Sequence, residues 1–387
     1  MSGPYRVLDR LCLSVTVLAP LLSLVRAGQR GFQYNKDMST QAWMALSAVA
    51  VLFPFPALAQ PPAGHGPYFP ANAPWYQDIS AAPVDPESTA VINWLASVGG
   101  WGGGRMQIDF SIEVLEADAS TPFRSFIPTG DFYDPDCDFA PVPMPAGGAI
   151  EGEEDYYCAG DGDCHLLVVH RPTNKLYEMW RANLDPSDGN FYGGCLVVWD
   201  MGLTYPKSGR GQDCTSADAA GFPISPLLFN ADEVAAGQIN HAIRFILPNH
   251  RMRNKVYVHP ATHSTFATSG PATAPPYGTR LRLRADFPLH TLPNEGARTV
   301  ARAMQKYGIL LSDGGTIALT AQSDRFTTAK WDGLLGPLDL RLLQVTDFQM
   351  IAAGTRYAYT GDCARTYPVF NDGFEVNGLA KWSGWTP

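Results

Sequence analysis

The sequence predicts a mainly β fold, an antiparallel β-sandwich of jelly-roll type with one packed helix in its C-terminal half. Three observations predict it. Short runs rich in β-branched and aromatic residues recur between turn residues. The 387 residues include 37 Gly and 32 Pro, enough punctuation for many turns. One stretch alone, 296–311, carries a sustained helical spacing, with Val300, Ala303, Met304 and Tyr307 on one side.

In chain order, residues 60–104 read as a Pro- and Gly-rich lead-in segment. It holds a short helix over 87–98, which starts after Asp85-Pro86 and ends before the Gly-rich break GGWGGG. The β-sandwich domain is expected over 105–360 and a tail over 361–387. A strand is expected over 106–115, then a loop-like region over 120–163. Strands follow over 164–170, 175–182, 194–201, 238–247, 255–259 and 279–287. Runs such as 166–169 and 196–199 alternate poorly, which suits strands covered on both faces. After the helix come a short helix over 338–343 and a last strand over 345–352.

Two apolar runs, 11–25 and 45–58, precede this domain. The second ends Ala57-Leu58-Ala59 before Gln60, a small-x-small cleavage pattern, so 1–59 read as a leader cut near Ala59, with Met1 or Met38 as its start. Neither run reaches the roughly 20 residues of a membrane span. Secretion to the periplasm or the exterior is therefore expected. Beyond residue 59 the chain holds 23 basic and 35 acidic residues, a net of −12, with no basic stripe. That excludes nucleic acid as a partner, because phosphate binding needs clustered Lys and Arg. Cys12 lies in the leader; the other six cysteines, Cys137, Cys158, Cys164, Cys195, Cys214 and Cys363, read as up to three disulfides in any of fifteen pairings. No C-x-x-C pair supports zinc.

The hairpin HLLVVHRPTNKLYEMW, turned at Pro172-Thr173, sets 165 opposite 180, 167 opposite 178 and 169 opposite 176. His165, Glu178 and Trp180 then share one sheet face. An imidazole, a carboxyl and an indole together suit a sugar. Asp200 follows the next strand, and Glu178 with Asp200 form a candidate carboxyl pair for glycosidic cleavage. The run from Cys214 to Leu247 presents Thr215, Ser216 and Asp218 on a small-residue loop beside His241 and Arg244. Glu178, Asp200, His165 and His241 are the candidate catalytic residues; Trp180, Asp218, Arg244 and His263 are the candidate substrate-binding residues. His263, His241 and Tyr177 alternatively supply the neutralising and proton-abstracting groups of a lyase. Ser216 lacks the G-x-S-x-G elbow of a serine esterase, Asp218 reads as a loop organiser, and Asp313-Gly314-Gly315 as a turn. No metal site or cofactor is expected, although DGD at 161–163 would suit a structural calcium; the full calcium-loop pattern is missing. The functional expectation is a monomeric, secreted, carbohydrate-active protein that cleaves a polysaccharide by hydrolysis or elimination. The alternative is a non-catalytic glycan-binding or envelope protein, with Tyr68, Trp75, Trp94 and Trp101 as its aromatic surface.

The motifs DGDCHLLVVHR, LYEMW, TSADAAGFPI, DEVAAGQINHAIRF, PATH and PPYGTRLRLRADF, spread over about residues 72–345, resemble an uncharacterised family of exported bacterial proteins. The resemblance implies export and carries no activity with it. This sequence departs from the family at His170, where Asp is the family residue, so no role is carried onto that position. The tail VFNDGFEVNGLAKW is similar to a short C-terminal signature of secreted proteobacterial proteins, which implies a surface or export role.

Overall fold

A computed structural model describes residues 64–366 apart from Asp161. The leader, the first residues of the lead-in segment and the tail motif lie outside the described residues. In chain order the elements used below are helix α1 (Ser88–Ser97), strands β1 (Ile108–Ile112), β2 (Val114–Ala117), β3 (His165–His170), β4 (Lys175–Trp180) and β5 (Cys195–Asp200), helix α2 (Ala231–Ala235), strands β6 (Ile243–Leu247), β7 (Val256–Val258) and β8 (Arg280–Leu283), helix α3 (Glu295–Lys306), and strands β9 (Ile309–Gly314), β10 (Leu319–Gln322), β11 (Phe348–Met350) and β12 (Arg356–Ala358). The protein is mainly β, as expected.

The two principal sheets differ from the expected jelly roll. A six-stranded sheet runs β1-β10-β6-β9-β8-β11, and a four-stranded sheet runs β5-β4-β3-β2. Both are mixed: β1 pairs parallel with β10, β6 with β9, and β2 with β3. Parallel neighbours need long crossovers. Between β6 and β9 the chain spends residues 248–308, including α3, on that return. The expected strand over 106–115 is in fact two, β1 and β2, which leave Ile112 for one sheet and Val114 for the other.

The expected helix over 296–311 stops at Lys306. Asn294 caps its start by accepting from Ala297 N at 2.8 Å. Gly308, at φ +72°, ends it; a Cβ there would lie 2.6 Å from the Leu281 carbonyl oxygen. Residues 309–311 therefore turn back as the buried core of β9. Nothing helical forms over 338–343, which is a run of turns, and the strand expected over 238–247 begins only at Ile243.

The four-stranded sheet is covered on both faces. Leu167, Val169, Leu176, Val197 and Trp199 join the large core, which also takes Ile243, Phe245, Ile309 and Leu311 from the other sheet. Leu166, Val168, Tyr177, Met179, Leu196 and Val198 enter a second core beneath the 120–163 region. Every residue of β3 is buried, the physical reason its alternation was poor in sequence. Tyr68, Trp75 and Trp101 lie in the large core and are no aromatic surface; Trp94 packs against it.

The six cysteines form three disulfides, Cys137–Cys195, Cys158–Cys164 and Cys214–Cys363. The last joins the loop before β6 to the last described residues across a separation of 149. Asp138, fully buried, accepts from both Arg210 (2.6 Å) and Arg365 (2.9 Å) beside that crosslink. Peptide mapping without reduction is expected to recover these three pairs and no others. On a chain-entropy basis, replacing Cys214 and Cys363 by Ser is expected to cost up to about 5 kcal/mol of stability, read by urea unfolding; a loss near zero would contradict the crosslink's role.

Candidate functional site

The ribbon of β3 and β4 has the expected register: His165 opposes Trp180, Leu167 opposes Glu178 and Val169 opposes Leu176. His165, Glu178 and Trp180 do share a face. That face is covered, however, and the three groups have different tasks.

Glu178 is fully buried. Its oxygens accept from Ile224 N (2.9 Å), Ser225 N (2.8 Å), Ser225 Oγ (2.8 Å) and Trp199 Nε1 (3.0 Å). Burial raises its pKa, against which the donors of Ser225, Ile224 and Trp199 act. It anchors the turn Ser225–Leu227 on the sheet and has no open side. Asp200 lies three residues past Val197, the partner of Glu178 on β5, so the pleat points it to the other face. It accepts from Lys175 at 2.7 Å and from Gly202 N at 2.9 Å. The expected carboxyl pair of Glu178 and Asp200 is therefore not brought together.

The other histidines are apart as well. His241 precedes β6; it contacts Ala242 O at 2.8 Å and the Glu233 carboxylate at 3.3 Å, beside the Asn230–Glu233 capping box of α2. His263 contacts Ala219 O at 2.6 Å and Tyr359 Oη at 2.8 Å, and burial pulls its pKa down to about 4. Tyr177 faces the second core, on the opposite side of the sheet from Glu178.

Three of the candidates do converge: His165, Asp218 and Arg244. Arg244 points off β6 on the face opposite Ile243 and Phe245. On that face Asp109 of β1, Thr320 of β10 and Arg244 stand in one row, since Asp109 pairs with Thr320 and Phe245 with Leu319. Arg244 Nη1 donates to Thr320 Oγ1 at 3.2 Å. Its Nη2 donates to Asp218 Oδ1 and to Asp313 Oδ2, both at 2.8 Å, and its Nε donates to Asp218 Oδ1 at 3.1 Å. Contrary to the sequence expectation, the Asp218 side chain does not organise its own loop; it accepts from Arg244. Ser216 organises the loop, its Oγ donating to Phe222 O (2.6 Å) and accepting from Asp218 N (3.0 Å). The loop is held down by Ala220 N donating to Ser312 O. Gly221, at φ +79°, sits where a Cβ would come within 2.1 Å of Thr262 Oγ1.

His165 comes to the same place from the other sheet. Its Nδ1 lies 2.6 Å from Glu151 Oε2 and its Nε2 lies 3.1 Å from Ala217 O. Two acceptors at the two ring nitrogens require an imidazolium. Burial pulls its pKa down, but the Glu151 carboxylate outweighs this and carries it up to about 9. For Glu151 burial pushes the pKa up, and His165 reverses this to a net lowering. The loop of Glu151 ties the sheets together: Glu151 N donates to His165 O at 2.9 Å, and Gly152 N to Ser111 O at 2.9 Å. Asp109 of β1 accepts from Ser111 N at 3.1 Å, and Ser111 Oγ donates to Glu151 at 3.4 Å; Asp109 is pushed up by burial, with Ser111 opposing and Glu151 adding to the rise. Burial pushes Asp218 up to about 7 and raises Asp313 as well, with Arg244 opposing in both. The Glu151 and Asp313 side chains are 20% and 27% exposed, so these two carboxylates are where the centre reaches the surface.

Sequence reasoning missed Asp109 and Glu151 and gave Asp163 and Asp313 other tasks. Asp109 and Ser111, polar at i and i+2 in an apolar strand, were a readable signal; Asp313 was read as a turn, and Glu151 sits in a loop with no pattern. Trp180 flanks the centre, its Nε1 donating to Asp163, whose charge acts on both His165 and Asp313. A separate concavity of about 420 Å³ on the other face of β1, lined by Phe110, Trp331 and Asp339, contains none of these residues. Among the described residues, Glu153, Cys158 and Cys164 bring ligand atoms within 4.8 Å of one another, but both sulfurs are spent in a disulfide. Asp161 of the DGD motif lies outside the described residues. No described helix is long and apolar enough to cross a membrane. Comparison with family models, curated proteins and solved structures found no match.

Glu178→Leu would strand three buried N–H donors and is expected to cost about 3–5 kcal/mol in urea unfolding; wild-type stability would contradict the anchoring role. The folded His165 pKa, about 9, exceeds its ordinary 6.5. Its contribution to stability is therefore complete below pH 6.5 and lost as pH rises through about 9. Stability measured across that window should fall with a slope that Glu151→Gln reduces.

Proposed function

We propose that the protein is a secreted, carbohydrate-active enzyme that hydrolyses a polysaccharide at Asp109 and Glu151. The single observation that carries this reading is the gathering of two carboxyls at Ser111, whose N donates to Asp109 Oδ1 at 3.1 Å and whose Oγ donates to Glu151 Oε1 at 3.4 Å, in settings that raise Asp109 and lower Glu151. Two carboxyls whose proton affinities are pushed apart are the acid and base of glycosidic cleavage. Asp109 would protonate the leaving oxygen, and Glu151 would act as base or nucleophile. His165 tunes Glu151, to which its Nδ1 lies at 2.6 Å. Arg244, fixed by Asp218 and Asp313, positions the row that carries Asp109. Trp180 supports this reading as a sugar platform at the edge, where its ring packs against Tyr133 at 6.3 Å. The three disulfides fit an oxidising compartment.

Non-catalytic glycan binding is the second reading. It is favoured by one fact: Glu151 is closed into an ion pair with His165 at 2.6 Å, whose other ring nitrogen meets Ala217 O at 3.1 Å, as in a purely structural bridge. The same fact counts against elimination through His165.

Reducing-end release from a polysaccharide panel separates the readings. Asp109→Asn and Glu151→Gln are each expected to lower kcat by about 10²-fold or more with binding retained. Binding without turnover in the wild type would leave the second reading. Unsaturated, ultraviolet-absorbing products would replace hydrolysis by elimination.

A further inference from the structure

Between β1 and β2 the chain changes sheets at a single residue, Glu113. The junction is pinned on both sides: Ile112 O accepts from Ser323 N at 2.8 Å, and Val114 O accepts from Gly64 N at 2.7 Å. The Glu113 side chain is only 3% exposed, and its Oε2 is buried without a hydrogen-bond partner. Arg325 Nε stands 3.9 Å from the other oxygen, beyond hydrogen-bond reach. An ionised carboxylate so far from water and so poorly met is costly. Burial accordingly pushes the Glu113 pKa up to about 8; Arg325 and the backbone N–H of Glu113 oppose this, Glu151 adds to the rise, and Ser323 opposes it again.

Arg325 is divided between two carboxyls. Its Nη2 lies 3.3 Å from Glu154 Oε1, on a side chain 98% exposed. Glu154 belongs to the loop that carries Glu151, which Gly152 N fastens to β1 through Ser111 O. Arg325 N donates to Ser323 Oγ at 3.2 Å, so its backbone is held while its guanidinium can turn. An exposed ion pair is worth little, whereas a buried carboxylate needs a cation badly; the guanidinium therefore goes inward once Glu113 ionises. The other charged neighbours are engaged elsewhere. Glu151 has His165 at 2.6 Å, and on the lead-in side His65 faces Asp232 at 3.9 Å. From β3, Leu167 is the partner of Val114.

We propose that Glu113, Arg325 and Glu154 form a pH-sensitive clamp on the loop that carries Glu151. While Glu113 keeps its proton, Arg325 grips Glu154 and holds the loop down. When Glu113 gives that proton to solvent, the Arg325–Glu154 pair breaks, an Arg325–Glu113 pair forms, and the loop is released. The clamp does not depend on the glycan reading.

Urea unfolding and amide exchange of the whole protein across pH 5–9 test it. The folded value of Glu113, about 8, exceeds its ordinary 4.5, so its contribution to stability is whole below pH 4.5 and lost as pH rises through about 8. The folding constant of Glu113→Gln relative to wild type should therefore rise at least about tenfold between pH 5 and 8. A ratio independent of pH would overturn the proposal. Protection of the Gly152 amide, corrected for free-peptide exchange, should drop about fivefold or more above pH 8 in wild type and not in Glu113→Gln. His165 titrates in both proteins, so the difference between them reports Glu113. Arg325→Gln, altering a partly exposed side chain, should leave Gly152 poorly protected at every pH. Glu154→Gln removes the rival carboxylate and should move the wild-type stability step to lower pH. Wild-type protection in Arg325→Gln, or an unmoved step in Glu154→Gln, would overturn the sharing of Arg325 and the clamp with it.

Discussion

The burial of one guanidinium organises this molecule. Arg244 stands in the middle of a sheet face, almost wholly withdrawn from water. A buried cation costs several kcal/mol unless carboxylates and hydrogen bonds replace its hydration. Asp218, Asp313 and Thr320 do so here. Burial would lower the Arg244 pKa, but the two aspartates reverse that and hold it above its ordinary value. The requirement dictates the course of the loop before α2, because only a loop pressed onto the sheet can deliver Asp218. Ser216, Gly221 and the Ala220–Ser312 hydrogen bond follow from that need.

The second sheet enters the same electrostatic unit through His165. Its imidazolium needs Glu151, and Glu151 reaches it because the loop after Ile150 bonds to both sheets. The chemistry of the centre is a consequence: Glu151 is kept ionised by a cation, while Asp109 beside it has burial and a neighbouring negative charge against it. Two carboxyls held this way are shifted in opposite directions although both bond to Ser111.

Local features were legible in the sequence, and features fixed by distant contacts were not. The register of β3 on β4 followed from the position of the turn; Asn174, at φ +53°, closes a three-residue 3-10 turn as a short connection requires. Even the shared face of His165, Glu178 and Trp180 was readable. What covers that face was not, because the donors to Glu178 come from Ile224 and Ser225, 46 and 47 positions away. The pairing of Glu178 with Asp200 failed on pleat parity, which a sequence leaves open until the β4–β5 register is known. Arg244 and Asp218 were both singled out, but as substrate-binding residues; their bond to each other depends on the loop's fold. Asp313 was misread because its turn is also a strand end. The mixed sheets were hidden for a similar reason: no local pattern distinguishes a parallel partner from an antiparallel one when every residue of a strand is buried.

Carboxyl titration by site-resolved carbon-13 NMR tests the central claim most directly. In unstructured chains Asp loses its proton at lower pH than Glu. The environment described here works against that order: burial raises Asp109, and at Glu151 the pull of His165 outweighs burial and lowers it. A midpoint for Asp109 above, and for Glu151 below, its own unfolded-state value is the expected result. Midpoints at the unfolded-state values, or displacements of the opposite sign, would contradict the account.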